Sequence, residues 1–193
     1  MQLPGHVGLV LLVVSPVWFG LVTREAVGVT LLALLTAMLP DVDLVLEAFL
    51  PIEHHGVTHG VWFVLAVGLL LGGLVTWWYV SGGRRHFRPG SDARHLPART
   101  VFAVTASAFV LGGTTHILGD MLTAPDVAPP IRPLLPLSDA VVSFDVLWVY
   151  DPVVNFGLLA LGLLVHLALW RLAPNGTTLS RVRGSTGRGS RRG

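Results

Sequence analysis

The chain has 193 residues, of which 52% are apolar and only 12% are charged, so its composition excludes an ordinary soluble domain of this length. It contains no cysteine, which excludes disulfides and thiolate metal sites, and any metal must be held by His, Asp or Glu. The basic residues are all arginine and fall mainly in one loop and the C-terminal tail, a distribution typical of membrane proteins. We therefore expect no nucleic-acid partner.

Five apolar segments predict five transmembrane helices, because each is long enough, or nearly so, for a hydrocarbon core of about 30 Å. In chain order they cover residues 7–22, 26–39, 60–80, 100–122 and 152–172. We predict an all-α integral membrane protein, with a helical bundle over residues 1–173. Residues 174–193 are rich in Gly, Ser and Arg and have too little apolar surface to fold, which predicts a disordered basic tail.

Two of these helices carry residues with specific packing consequences. Pro16 lies inside the first helix, where a kink is tolerated if neighbouring helices satisfy the freed carbonyl. Gly68 and Gly72 form a GxxxG pattern in the third helix, which favours close packing on a neighbour.

Charge predicts the orientation of the bundle. If the helices alternate in direction, nearly all acids and most histidines fall at one end, whereas every arginine except Arg132 falls at the other. The positive-inside rule then places the arginine end and the C-terminus in the cytoplasm. The acid-rich end faces outward from the inner or plasma membrane.

Asp41 and Asp43 directly follow the short second helix, which ends at Pro40. That helix covers about 21 Å at 1.5 Å per residue, less than the hydrocarbon core, so we expect both carboxylates in a protein-lined recess below the headgroups. In an extended segment they face opposite ways, so that one binds a metal and the other bridges or orients. An ordinary solvated loop is the alternative.

His116 and Asp120 are four residues apart in the fourth helix and share one face. Both can reach one ion, or the carboxylate can orient the imidazole; the alternative is a hydrogen bond that ties helices together. Ionisable groups in apolar helices are costly and usually functional, which favours ligation. His166, in the fifth helix, is instead expected to form a helix–helix hydrogen bond.

Three histidines, His54, His55 and His59, fall within six residues just before the third helix. Imidazole is the commonest metal ligand, and an interfacial polar cluster is the alternative. Thr58 is a candidate N-cap for that helix. His6, at the start of the first helix, joins these residues because the helices alternate in direction.

Together these side chains form a mixed nitrogen and oxygen set that suits a divalent metal, with Zn expected first and Mn or Fe as alternatives. The predicted metal ligands are His6, Asp41, Asp43, His59, His116 and Asp120. Their number suffices for two ions, an arrangement that bridges a phosphoester and activates a water. We expect Asp43 and His54 to act in catalysis, with His54 orienting a ligand or transferring a proton.

Five motifs occur together within about residues 1–140. They are His6 before the first helix, Leu-Pro-Asp-Val-Asp at 39–43, His-x-Gly-x-Thr-His at 54–59, His-x-x-x-Asp at 116–120 and Pro-Leu-Ser at 136–138. The combination resembles the membrane-bound metal-dependent hydrolases that include LexA-regulated bacterial members. The resemblance implies a multi-helix inner-membrane protein with metal-dependent hydrolase activity. A more distant similarity, to the helical sites of zinc-dependent phospholipase C and P1 nuclease, implies a phosphoester substrate. His55 is a departure, because arginine is usual there in the family motif.

We therefore expect a metal-dependent hydrolase that acts on a lipid or lipid-linked ester, with a phosphoester favoured, at the outer membrane face. A transporter or channel for metal ions or protons is one alternative, but its site belongs near the midplane on broken helices within an inverted repeat. The predicted ligands cluster at helix ends instead, and no repeat is visible. A non-catalytic membrane protein stabilised by a metal is the other alternative, and the oligomeric state stays open.

The arginine asymmetry predicts the result of a topology experiment. A reporter fused after Gly193 and another inserted near Gly90 should both report the cytoplasm. An exterior signal from both contradicts the orientation, and disagreement between the two contradicts the number of helices.

Overall fold

The computed structural model describes residues 1–87, 92–124 and 129–172, and within them the protein is predominantly helical. Five helical spans are long and apolar enough to cross a membrane, which confirms the predicted all-α architecture. The predicted tail over 174–193 lies outside the described residues.

The helices are α1 (Leu3–Val14), α2 (Val17–Gly20), α3 (Thr23–Leu35), α4 (Asp43–Leu46), α5 (Val61–Val80), α6 (Ala98–Met121) and α7 (Pro152–Leu172). Short 3-10 turns cover Pro40–Val42, Val57–His59, Gly83–His86 and Asp92–His95. Two-residue strands, β1 (Thr123–Ala124) and β2 (Leu147–Trp148), pair in parallel. The five spans are Leu3–Gly20, Thr23–Leu46, α5, α6 and α7.

The first span differs from its prediction at both ends and in the middle. It begins at Leu3 rather than at residue 7. Pro4 is well tolerated there, because backbone N–H groups in the first helical turn have no acceptor within the helix. It is interrupted at Pro16, between α1 and α2. The Ser15 hydroxyl donates to the carbonyl of Leu12 at 2.8 Å, which helps satisfy the backbone at the break.

The extended segment expected at Asp41 and Asp43 is wrong. The α3 helix ends at Leu35, and after a turn the chain re-enters helical geometry at Pro40, whose fixed φ suits the first position of a new helical turn. Asp41 lies in this 3-10 turn and Asp43 starts α4. The two carboxylates therefore lie two residues apart on helical rather than extended backbone.

The α6 helix is the most buried of the five spans and packs against α1, α3 and α5, whereas α7 packs on α1. Small residues allow these close approaches. A Cβ at Gly112 would lie 2.0 Å from the carbonyl oxygen of Ala33 in α3, and one at Gly72 would lie 2.7 Å from the Cα of Ala106. The close packing predicted from the GxxxG pattern is confirmed, with α6 as the partner of α5.

The outward faces of α5 and α7 are apolar and exposed, as lipid-facing surfaces are, with large side chains that include Leu70, Trp77, Phe156 and Leu164. His166 faces the bundle: its Nδ1 accepts from Nε1 of Trp18 at 2.9 Å, and its Nε2 lies 2.8 Å from the carbonyl oxygen of Leu11. The helix–helix hydrogen bond predicted for His166 is confirmed.

Two adjacent glycines give a matched test of the α5–α6 contact. Gly72→Ala should lower the melting temperature of the detergent-solubilised protein by several degrees, because overpacking a tight contact typically costs about 1–3 kcal/mol. Gly73→Ala is the control, since a Cβ there meets nothing within 4 Å. Equal melting temperatures for the two variants contradict the described packing.

Candidate metal centre

Four segments bring ionisable side chains to one end of the bundle. His6 comes from the first turn of α1, Asp41 from the 3-10 turn after α3, His59 from the turn before α5, and His116 and Asp120 from the last turns of α6. The three imidazoles and Asp120 are buried, and Asp41 is 19% exposed. The sequence-based expectation that these residues meet agrees with the structure.

Asp41, His59, His116 and Asp120 each direct one ligand atom toward a common point, and these atoms all lie within 4.8 Å of one another. Oδ1 of Asp41 lies 3.2 Å from Nε2 of His116 and 3.3 Å from Nε2 of His59. Oδ2 of Asp120 lies 3.0 Å and 3.7 Å from the same two nitrogens. With metal–ligand bonds of about 2.1 Å, neighbouring ligand atoms lie about 3.4 Å apart in tetrahedral and about 3.0 Å apart in octahedral coordination. Three of the four observed spacings fall between these two values, and the fourth, from His59 to Asp120, is slightly longer.

Hydrogen bonds on the far side of two rings assign their tautomers. Nδ1 of His116 lies 2.7 Å from the carbonyl oxygen of Ala37, and a carbonyl only accepts, so Nδ1 carries the proton. Nδ1 of His59 lies 3.1 Å from Oδ2 of Asp43, which assigns its proton in the same way. In the neutral rings, both Nε2 atoms then present lone pairs to the carboxylates of Asp41 and Asp120.

Such an arrangement leaves buried polar atoms without partners. Within the described residues, Nε2 of His59, Nε2 of His116 and both ring nitrogens of His6 are buried and form no hydrogen bond. The carboxylate oxygens of Asp41 and Asp120 lie 3.0–3.7 Å from the Nε2 atoms. Buried polar atoms are nearly always satisfied, so an unpaired group of this size needs an explanation. A cation between the nitrogens and the carboxylates supplies one.

His6 lies beside this group rather than inside it. Its ring stacks on that of His116, with centroids 3.8 Å apart and an interplanar angle of 10°. Its Nε2 lies 3.1 Å from Oδ1 of Asp120, which the amino group of Met1 also contacts. A Cβ at Gly119 would lie 3.0 Å from Nδ1 of His6, so this glycine leaves room for the ring.

Asp43 is buried on the other side of His59 and accepts four hydrogen bonds. Oδ1 pairs with Nδ1 of His54 at 2.9 Å. Oδ2 accepts from the Thr58 hydroxyl at 2.7 Å, the His55 backbone N–H at 3.2 Å and Nδ1 of His59 at 3.1 Å. The predicted N-cap role of Thr58 is wrong, because α5 begins after Gly60 with no side-chain cap and the hydroxyl is used by Asp43.

This set of bonds gives Asp43 the geometry of a residue that orients His59 toward the cluster, a common arrangement behind metal-binding imidazoles. Asp43 also converges with Asp41 and His54 in a second group whose ligand atoms lie within 4.8 Å of one another. Direct ligation by Asp43 therefore stays a prediction, as does its catalytic role.

His54 and His55 lie at the edge of the cluster. The ring of His54 is 21% exposed, whereas His55 is buried with its Nδ1 2.8 Å from the carbonyl oxygen of Pro129. Burial lowers the pKa of His55 to about 4, so the ring is neutral at physiological pH. Nitrogens of His54, His55 and His59 also converge within 4.8 Å. Sequence reasoning left His55 out of the ligand set, although its spacing from His59 was the available signal.

A family model for the YdjM inner membrane protein matches residues 1–182. The chain belongs to the YdjM inner membrane protein family. The match covers all five apolar spans and extends past residue 140, where the motif resemblance ended. It confirms an inner membrane protein, and so a lipid environment. No curated protein and no solved structure matches the chain.

A cavity of about 340 Å³ adjoins the site in this family member, with Asp43, Thr58, Glu53, Arg132 and Leu135 among its lining residues. Arg132 was not among the predicted site residues. The available signal was charge, since it is the single arginine at the acid-rich end.

Proposed function

We propose that this YdjM family member is a membrane-embedded metal-dependent hydrolase that acts on a lipid or lipid-linked ester, with a phosphoester as the favoured substrate. Asp41, His59, His116 and Asp120 hold the divalent metal, with Zn first and Mn or Fe as alternatives, and His6 lies alongside. The observation that carries the proposal is the buried set of imidazole nitrogens that face carboxylates without hydrogen bonds.

A divalent ion held by these residues would supply a Lewis acid for the ester oxygen and would lower the pKa of a bound water. The chain's own residues prepare the site. The backbone carbonyl of Ala37 and the carboxylate of Asp43 hold His116 and His59 with Nε2 toward the cluster. His54 is held by Asp43 through Nδ1, so proton exchange uses its Nε2.

The surface beside the cluster supports a lipid substrate. In and after α4, within a few residues of Asp43, the side chains of Leu44, Val45 and Phe49 are apolar and largely exposed. A hydrophobic surface at the end of membrane spans is suited to acyl chains. A lipid that lies along it would bring its ester bond to the level of Asp41, whose partial exposure opens the cluster.

The position of the cluster along the spans favours an enzyme over a transporter. His6 lies in the first turn of its span and Asp120 is one residue from the end of α6. Transporter sites typically lie near the midplane. With the arginine end in the cytoplasm, the cluster faces outward, where lipids of the outer leaflet reach it.

Metal content is the first test of the proposal. After chelator treatment and dialysis against Zn or Mn, the wild-type protein should retain at least one equivalent of metal by elemental analysis. Asp41→Ala and His116→Ala should retain at least about ten-fold less, because each removes a ligand. Glu47→Ala is the control, since Glu47 is exposed outside the cluster. Wild-type metal content in both ligand variants, at unchanged gel-filtration profiles, contradicts the assignment.

Turnover separates ligands from the proton-transfer residue. With phospholipids and lipid-linked phosphates in vesicles, Asp41→Ala and His116→Ala should abolish hydrolysis. His54→Ala should lower it about 100-fold while metal content stays near wild type, because general acid–base groups contribute at least about that factor. Glu47→Ala should be unchanged. Full turnover in His54→Ala contradicts its role, and ion flux in liposomes without hydrolysis of any ester favours the transporter.

A further inference from the structure

Arg132 is exceptional in its location. The described residues 36–60, 118–124 and 129–153 form most of the site end, and they contain one arginine, no lysine and eight carboxylates. Because this end of the molecule is otherwise acidic, a general preference for basic residues at membrane surfaces does not account for Arg132.

The backbone around Arg132 is fixed to the frame that carries the metal cluster. The Val61 N–H, two residues after His59, donates to the carbonyl of Pro133 at 2.8 Å. On the other side, Ile131 is buried and its carbonyl accepts from the N–H of Val142 at 3.0 Å. Arg132 is thus held at a defined place beside the start of α5.

Arg132 shares a cavity with the residues that support the cluster. Arg132, Asp43 and Thr58 line the same space of about 340 Å³, large enough for a lipid headgroup. The charge of Asp43 is already compensated by four hydrogen bonds, so it repels an incoming anion less than a bare carboxylate would. Ile52, Val57 and Leu135 add apolar side chains to the lining of this cavity.

The present partners of Arg132 are easily exchanged. Nη2 of Arg132 lies 3.3 Å from Oε2 of Glu53, and Nη1 lies 4.0 Å from Oδ1 of Asp139. These two side chains are 71% and 86% exposed. Exposed pairs of this kind contribute little. The planar guanidinium can bind two oxygens of one phosphate group at the same time. Glu53 and Asp139 each place only one oxygen near it.

We infer that Arg132 binds the phosphate of the substrate headgroup in this cavity, which makes the substrate of the site an anionic phosphoester lipid rather than a neutral carboxylic ester. Glu53 and Asp139 keep the guanidinium at the edge of the cavity and release it to the anion. The statement about the substrate rests on the proposed function, whereas phosphate binding by Arg132 does not.

The test measures binding rather than turnover. Full-length protein in uncharged detergent is titrated with dihexanoyl phosphatidic acid, and with dihexanoylglycerol as the probe that lacks phosphate. Arg132→Gln should weaken binding of phosphatidic acid at least about ten-fold, because it removes a charge-assisted pair of hydrogen bonds. Arg132→Lys keeps the charge and should lose less. Arg24→Gln, at the opposite end of the bundle, should bind like wild type.

Two further readouts complete the design. Glu53→Gln should bind phosphatidic acid as tightly as wild type or more tightly, and all variants should bind dihexanoylglycerol equally, which also shows that Arg132→Gln is folded. Equal phosphatidic acid binding by wild type and Arg132→Gln overturns the inference, as does a parallel loss for both probes. The difference in phosphatidic acid affinity between wild type and Arg132→Gln should persist in chelator-treated protein. A failure of metal binding or hydrolysis would then contradict the proposed function without contradicting phosphate binding by Arg132.

Discussion

Three imidazole rings and two carboxylates lie at the end of a bundle whose spans are otherwise largely apolar. Burying such groups is costly unless each charge and lone pair finds a partner. Asp43 finds four partners, and Nδ1 of His59 and His116 each find one. The Nε2 atoms of His59 and His116 find none. The divalent cation that we propose would lie between these nitrogens and the carboxylates of Asp41 and Asp120 and would compensate all of these groups together. In the proposed function, the convergence of four separate segments depends on this one interaction.

The α6 helix makes that convergence possible. In the second half of α6, the backbone of Ala33 lies so close to Gly112 that any side chain at this position would collide with it. At the end of α3, the Thr36 hydroxyl donates to the carbonyl of Phe109 at 2.7 Å, and the next residue, Ala37, accepts from His116. Hydrogen bonds at Thr36 and Ala37 therefore join the chain to α6 just before the turn that carries Asp41. Close helix packing and the orientation of a site residue are parts of the same contact.

The sequence predicts the five spans and the shared end of the site residues well, because apolar length and alternating helix direction require no tertiary information. The fifth span, Pro152–Leu172, has the predicted bounds. The helical turn at Pro40 was not predicted, because proline both ends one helix and begins another. The hydrogen bond from Thr58 to Asp43 and the position of Arg132 beside the site were also not predicted. Both depend on contacts between segments that lie 15 or more residues apart in the sequence.

X-ray absorption spectroscopy of the zinc-loaded protein tests the central claim most directly, because it reports the atoms bound to the ion. The account predicts a first shell of nitrogen and oxygen at about 2.0–2.2 Å, with outer-shell scattering from imidazole rings that decreases in His116→Ala. A first shell of oxygen alone, or imidazole scattering unchanged by His116→Ala, contradicts it.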